Sequence, residues 1–370
     1  MGMSSLLEHS GPARTEAVLA LLLECYEPQE ELDDATAFTL LDAAGVLPLD
    51  RCTEEQLTLL TNFAAALSRR EAESVQAAAL ELLGLLTRQE SCRGAALHAM
   101  ETAQPRKGGS SDLLRQQTLA LWQGSHSEDI IAALEEEDIS DIFLENLKAG
   151  TPWIVKKANI RILTDFARLD HGYHLLHIAT HLSNLLIVSE QVTVRLTAGA
   201  ALLSIAPLLS YDQRSEVAVE LGRGLETGQQ EFSKYIPEFL GAFLLYLPPS
   251  QLEERLAALA EAQSSANSTI AAGALSTVGV LYERYGAYHD RFPEEEDVFL
   301  QRRQRLLGML LKGLASFHDD VRHEALQVLG NRIFGSEILS DEEKCEAFTL
   351  PAKKILFLLY EDPGGELTFF

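Results

Sequence analysis

Apolar residues return along this chain with a helical period, and one short pattern recurs about every 40 residues. An apolar anchor is followed four positions on by a small or shape-filling residue, and four beyond that by another apolar or aromatic one. It reads Val75/Ala79/Leu83, Leu114/Thr118/Trp122, Val155/Asn159/Leu163, Val194/Ala198/Leu202, Phe232/Ile236/Leu240, Ile270/Ala274/Val278 and Val321/Ala325/Leu329. The steps between anchors are 39, 41, 39, 38, 38 and 51 residues. A fixed period in this range marks an array of helix pairs, in which each unit buries its apolar face against its neighbours.

A second amphipathic segment precedes each anchored helix. In the first full unit, residues 54–68 carry Leu57, Leu60, Ala64 and Leu67 at steps of three and four, and a turn at 69–73 leads into a helix at 74–87. Later first helices are expected near 128–148, 173–187, 212–222, 251–263 and 298–315. Thr151-Pro152, Ser127 before Glu128-Asp129, and Ser250 before Gln251 read as helix starts. Pro207 and Pro237 fall inside helical patterns, where they should kink or end a helix. Residues 104–111 (QPRKGGSS) form the one linker-like stretch.

The ends depart from the period. Residues 1–45 hold one weaker pair, at 15–25 and 35–44; a last helix from Pro351 carries Ile355 and Leu359 and stops at Asp362-Pro363-Gly364-Gly365. Terminal units must present a polar face to water, so irregular ends suit an array. The expected organisation is one all-α domain over 1–370: capping helices at 1–50, repeats at 51–335, and a capping helix and tail at 336–370.

Composition narrows the function. Apolar residues are 46% of the 370 and charged residues 23%, enough to bury a large core. Acidic residues outnumber basic ones 55 to 30, for a net charge of −25, a field that repels phosphate backbones and anionic lipid. Neither nucleic acid nor membrane is an expected partner. The four cysteines are far apart and read as small buried hydrophobes in a reducing compartment. The N-terminus carries neither a secretory pattern nor a myristoylation signal, because Leu6 stands where Ser or Thr is wanted. The longest apolar runs, such as 241–247, are too short to span a bilayer. A soluble, cytoplasmic protein is expected.

At the anchored helices the chain resembles HEAT repeats, α-solenoids of helix pairs about 40 residues long. Asp319-Asp320-Val321-Arg322-His323-Glu324-Ala325-Leu326 looks like the D-x-V-R-x-x-A-x core of that family, and Val194-Arg195-Leu196-Thr197-Ala198 and Asp112-Leu113-Leu114-Arg115 repeat parts of it. The resemblance covers residues 54–335, with departures at Asn159, Phe232 and Ala271. It implies a right-handed α-solenoid of about seven to eight stacked antiparallel helix pairs. It also implies second helices lining the concave side, and work as a scaffold, adaptor or regulatory subunit.

Four features bear on chemistry. Asp170, His174, His177 and His181 share about a 60° arc of one helix. His177 and His181 have the spacing of zinc-binding helices, yet Ile178 stands where a general-base glutamate would follow, so a polar helix face is the alternative reading. Arg115, Lys156, Arg195 and Arg322 each follow an anchor and would form a row, either pairing with neighbouring acids or meeting a partner. Lys156, Lys157 and Arg161 cluster beyond what one row position needs and are candidate partner contacts. The 51-residue step holds an insertion with Tyr282, Tyr285, Tyr288, His289 and Phe292; aromatic residues by a loop make Tyr288, His289 and Phe292 the second candidate surface.

The acidic runs 135–138 and 294–297 lack the alternation of a calcium loop, and Gly222-x-Gly224 lacks a P-loop lysine. No cofactor is expected. The leading function is a non-catalytic scaffold or adaptor that binds a protein partner. The alternatives are an enzyme or enzyme-assembly factor on the same solenoid, lyase-like for example, or a metal-binding protein built on His174, His177 and His181.

Overall fold

Residues 32–45, 47, 49–122, 147, 150–169, 175–227, 234–293, 296–345 and 347 are described in a computed structural model of the chain. Helices and turns account for these residues, and no strand occurs among them. The chain divides into two units, Met1–His171 and Gly172–Phe370.

The first unit contains α1 (Asp34–Ala44), α2 (Glu54–Leu67), α3 (Glu73–Leu86), α4 (Arg93–Thr102), α5 (Ser110–Trp122) and α6 (Trp153–Leu169). Helix starts are set locally. Asp33 accepts from the Thr36 N–H, and Thr53 with Gln56 closes a reciprocal capping box at α2. Helix α3 is the centre of the unit, with α1, α2, α4, α5 and α6 all packed on it. Its sequence, ESVQAAALELLGLL, is apolar on almost every side, as a helix buried all round must be. The two long polar side chains in its middle are both answered: Gln76 donates to the Ser68 carbonyl (3.0 Å), and Glu81 is ion-paired.

The second unit contains α7 (Leu175–Val188), α8 (Val192–Ile205), α9 (Tyr211–Glu226), α10 (Ile236–Leu244), α11 (Pro249–Ala262), α12 (Ser268–Glu283), α13 (Tyr285–Arg291), α14 (Glu296–Gly313) and α15 (Asp319–Gln327). Helix α15 continues into wider turns at Val328–Phe334. Here the stacking is that of a solenoid. Helix α7 pairs with α8, α9 with α10, α11 with α12, and α14 with α15; first helices α7, α9 and α11 form one row, and second helices α8, α10, α12 and α15 another. The recurrent positions make the contacts: Val194, Ala198, Leu202, Ile236, Leu240, Ala274, Val278, Val321, Ala325 and Leu329 are all buried.

Departures from the pattern have local reasons. Thr118 and Asn159, polar residues at the small position, each bond back to the carbonyl of their own anchor, Leu114 (2.9 Å) and Val155 (2.7 Å), which satisfies the Thr118 hydroxyl but leaves Asn159 Oδ1 buried without a partner. Ile270 is half-buried while its neighbour Ala271 is inside, a one-residue shift of the anchor. Phe232 lies outside the described residues, as do the helices expected at 15–25, 128–148 and beyond Pro351. Pro237 sits in the first turn of α10 and starts that helix rather than kinking it; Pro207 lies in the short 3-10 turn Ala206–Leu208 that ends α8. Helix α11 begins at Pro249, so Ser250 is inside its first turn rather than its cap. Of the cysteines described, Cys92 is buried, but Cys52 is half-buried and Cys345 exposed, against the expectation of burial. No helix among the described residues is long and apolar enough to cross a membrane.

Glycines mark where second helices cross most closely. A methyl group on Gly199 of α8 would stand 2.5 Å from the Phe239 ring of α10, and one on Gly241 of α10 would stand 2.6 Å from Val280 Cβ and 2.8 Å from the Thr277 carbonyl of α12. Gly279 of α12 is in the same position against Val328, at 2.3 Å.

Candidate partner-binding surfaces

Helix α6 brings Lys156, Lys157 and Arg161 to the first unit, and the structure separates them. Lys157 is only 3% exposed; its ammonium pairs with Asp42 of α1 and lies 3.8 Å from Glu81 of α3. Arg161 Nη1 donates to the other oxygen of Glu81 at 2.6 Å. Trp153 stands edge-on to Phe38 of α1, 6.0 Å between ring centres, so α6 is held to α1 as well as packed on α3 and α5. A buried polar or charged group is tolerated only when it has partners, and here the Lys157 amine and the Arg161 guanidinium face the Asp42 and Glu81 carboxylates. Burial, with the Arg161 guanidinium beside it, holds the Lys157 pKa down at about 6, and burial pushes the Glu81 carboxyl up against the opposing pull of Arg161. Lys157 and Arg161 therefore tie helices together and are not an open contact surface, a correction to the sequence expectation. Lys156, the third of the three, is half-buried and has no ion pair among the described residues.

The aromatic insertion behaves the same way. Tyr282, Tyr285 and Tyr288 are fully buried. Tyr285 stacks on Tyr288 (5.4 Å, 10°) and on Phe299 of α14 (5.1 Å, 10°), and its hydroxyl accepts from Arg302 at 2.9 Å. The short helix α13 thus wedges its tyrosines between α12 and α14. Tyr288 belongs to the core, because burying so large an apolar ring outweighs leaving it in water. His289 and Phe292 remain half-buried at the surface, His289 against Phe299 (4.8 Å) and Phe292 beside Tyr211 of α9 (6.3 Å). Tyr211, 52% exposed, was not legible as part of this surface, since it lies 81 residues earlier in the chain.

Two arginines hold that corner. Arg214 lies over the Tyr211 ring (5.1 Å) and donates to the carbonyls of Ala206, Pro207 and Tyr246, each at 2.9 Å. Arg291 covers Tyr246 (3.9 Å) and donates to the Leu245 carbonyl at 2.7 Å. In the row of cations after the anchors, the three arginines are structural in like fashion. Arg195 and Arg322 each donate to a carbonyl six residues back, Ser189 and Ser316, and Arg322 also pairs with Asp319; Arg115 pairs with Asp112 at 3.4 Å. Arg93 makes the same six-residue reach to Thr87 (2.8 Å), a member of the set that the anchor spacing does not reveal. The guanidinium groups of Arg93, Arg195 and Arg322 close the turn before their helices, where carbonyl groups lack helical partners.

Asp170 and His174 lie outside the described residues. His177 is exposed and His181 half-buried on α7, with their Nε2 atoms 3.2 Å apart. No group of three or more histidine, cysteine or acidic side chains suited to a metal ion occurs among the described residues. The acidic run 135–138 is also outside them, while Glu296 and Asp297 occupy the first turn of α14, where negative charge favours the helix dipole.

No family model matches the sequence, and no curated protein matches it. Among solved structures, the chain is similar to the karyopherin Kap121p, crystallised with the extreme C-terminus of the protein phosphatase Cdc14p. The likeness covers 89% of this chain and 34% of the karyopherin, with 15% identity and a TM-score of 0.40. The chain thus spans about a third of that protein's length, and a likeness of this size assigns neither a family nor a partner.

Proposed function

We propose that this chain is a non-catalytic HEAT-like scaffold of the cytoplasm that recruits a protein partner and engages neither nucleic acid nor membrane. The observation that supports this reading is the outer face of the α7–α8 pair. Val188, Val192 and Leu196 are 50%, 43% and 37% exposed around one turn, although the opposite side of α8 is already buried in the stack. A helix that had only to pack on its neighbours would carry charged or polar residues there. Apolar side chains grouped on an array surface suit a contact that buries them. The half-buried His289 and Phe292 with exposed Tyr211 make a second such surface, and Lys156 adds a charge at a third.

The test is cross-linking and affinity capture from native extract with the full chain, in parallel with Val192→Glu and Leu196→Glu variants. A specific protein is expected with the unsubstituted chain and lost from both variants, with the helical circular dichroism unchanged. Retention of every captured protein by both variants would remove this face from the reading.

A further inference from the structure

A cleft of about 180 Å³ opens between α9 and α11. Leu225 of α9, Leu240 and Leu244 of α10 and Leu259 of α11 line it, all four buried. Arg223 and Arg255 stand at its rim. Neither arginine has an ion-pair partner among the described residues, and Arg255 Nε is buried without a hydrogen-bond acceptor. Other arginines of this unit are answered, Arg284 by Glu238, Arg302 and Arg305 by Glu253, Arg332 by Glu238 and Glu283, and Arg214 and Arg291 by main-chain carbonyls. Arg223 is exposed to solvent, whereas Arg255 is half-buried with a guanidinium N–H cut off from both water and acceptor, and that N–H needs an explanation.

The size and chemistry of the cleft supply it. An apolar cavity of about 150 Å³ holds benzene, so this one takes a single large side chain. Pockets for whole cofactors and drug-sized ligands run to about 300–1,000 Å³, which excludes that class. A buried guanidinium N–H without an acceptor is costly, and an incoming carboxylate satisfies it. We infer that the cleft between α9 and α11 receives one large apolar side chain of a partner protein, whose flanking carboxylates bind Arg223 and Arg255. This rests on the reading of the chain as a protein-binding scaffold and adds the chemistry of the segment bound. Glu226 also lines the cleft, three residues from Arg223, which makes Arg255 the stronger anchor for an incoming carboxylate.

The probe is a fluorescein-labelled pentapeptide, phenylalanine flanked by two glutamates on each side, titrated with the full chain by fluorescence polarisation. Saturable binding that weakens with salt is expected. Replacing the central phenylalanine by alanine should weaken it about tenfold or more, the scale of one buried aromatic ring. Changing the flanks to lysine should abolish it. Ala258→Phe, which fills the cleft, should abolish binding; Arg255→Gln and Arg223→Glu, at the rim, should each weaken it about tenfold, as loss of a charged hydrogen bond does. The rim variants keep the test valid if Ala258→Phe fails to fold, with circular dichroism as the check. Absence of binding, equal affinity for the alanine-centred peptide, or indifference to the rim substitutions would overturn the proposal. Absence of peptide binding, beside a partner still captured from extract through Val192 and Leu196, would refute the cleft while leaving the scaffold reading in place.

Discussion

Replacing Gly241 by alanine adds one methyl group at the tightest backbone approach between α10 and α12. That methyl would stand 2.6 Å from Val280 Cβ and 2.8 Å from the Thr277 carbonyl oxygen. Carbon atoms rest about 3.5–4.0 Å apart, so the helices must separate by about 1 Å. Neither obstacle is the far end of a flexible side chain: one is a β-carbon and the other main chain, so rotamer changes cannot relieve the clash. Overpacking of this kind costs about 1–3 kcal/mol. Against it stands the better helix propensity of alanine, worth about 1 kcal/mol in a helix interior. The obstacle here is backbone, which places the clash at the upper end, and the net loss is about 2 kcal/mol. Gly308 of α14 supplies the control, because a methyl there meets nothing within 4 Å. Gly308→Ala should gain up to about 1 kcal/mol from propensity alone. Urea unfolding followed by far-ultraviolet circular dichroism reads both, the comparison being the sign of the midpoint shift in one background. A Gly241→Ala protein as stable as the original, beside a stabilised Gly308→Ala, would refute the close approach of α10 to α12.

Ala325→Leu should cost about 1–3 kcal/mol, since Ala325 is fully buried and its Cβ lies 3.2 Å from where a methyl on Gly313 would be; an unchanged melting temperature would contradict the register of α15. The buried charges of α6 predict a pH dependence. Lys157 titrates at about 6 in the folded chain against 10.5 for the free side chain, so between those values the unfolded chain holds the extra proton and stability rises with pH. Glu81 acts oppositely, its raised pKa making stability fall as pH climbs above the ordinary 4.5. Lys157→Met should therefore flatten the rise in melting temperature between pH 7 and about 9.5, and an identical slope in the variant would show that Lys157 is not held deprotonated.

Helix positions were legible because helical periodicity is a property of near neighbours. The expected 251–263 is Pro249–Ala262, the expected 74–87 is Glu73–Leu86, and the small residues Ala198, Ala274 and Ala325 are inside as their spacing requires. The capping boxes at Thr53/Gln56 and Ser210/Gln213 were equally readable, each a hydroxyl three residues before a glutamine, yet the apolar pattern alone does not draw attention to them. A further readable signal is the glycine nine residues after an anchor, at Gly84 and Gly279. Nine residues are two and a half helical turns, which puts the glycine on the side away from the anchor, toward the next unit.

What the chain order could not disclose is which charged and aromatic side chains are spent inside. Lys157 and Tyr288 look like surface residues in sequence, and only folding brings Asp42 and Glu81 to the first and Arg302 of α14 to the second. Lys157 and Asp42 are 115 residues apart, and no local pattern encodes their meeting. Tyr211 and Phe292, or Arg223 and Arg255, likewise become neighbours of one surface or one cleft through the stacking of α9 with its neighbours. The sequence by itself determined the helical array, through short-range periodicity and the burial it demands. The tertiary structure decided which charges are consumed in pairing and which stand open to a partner, because ion pairing and exposure depend on distances through space.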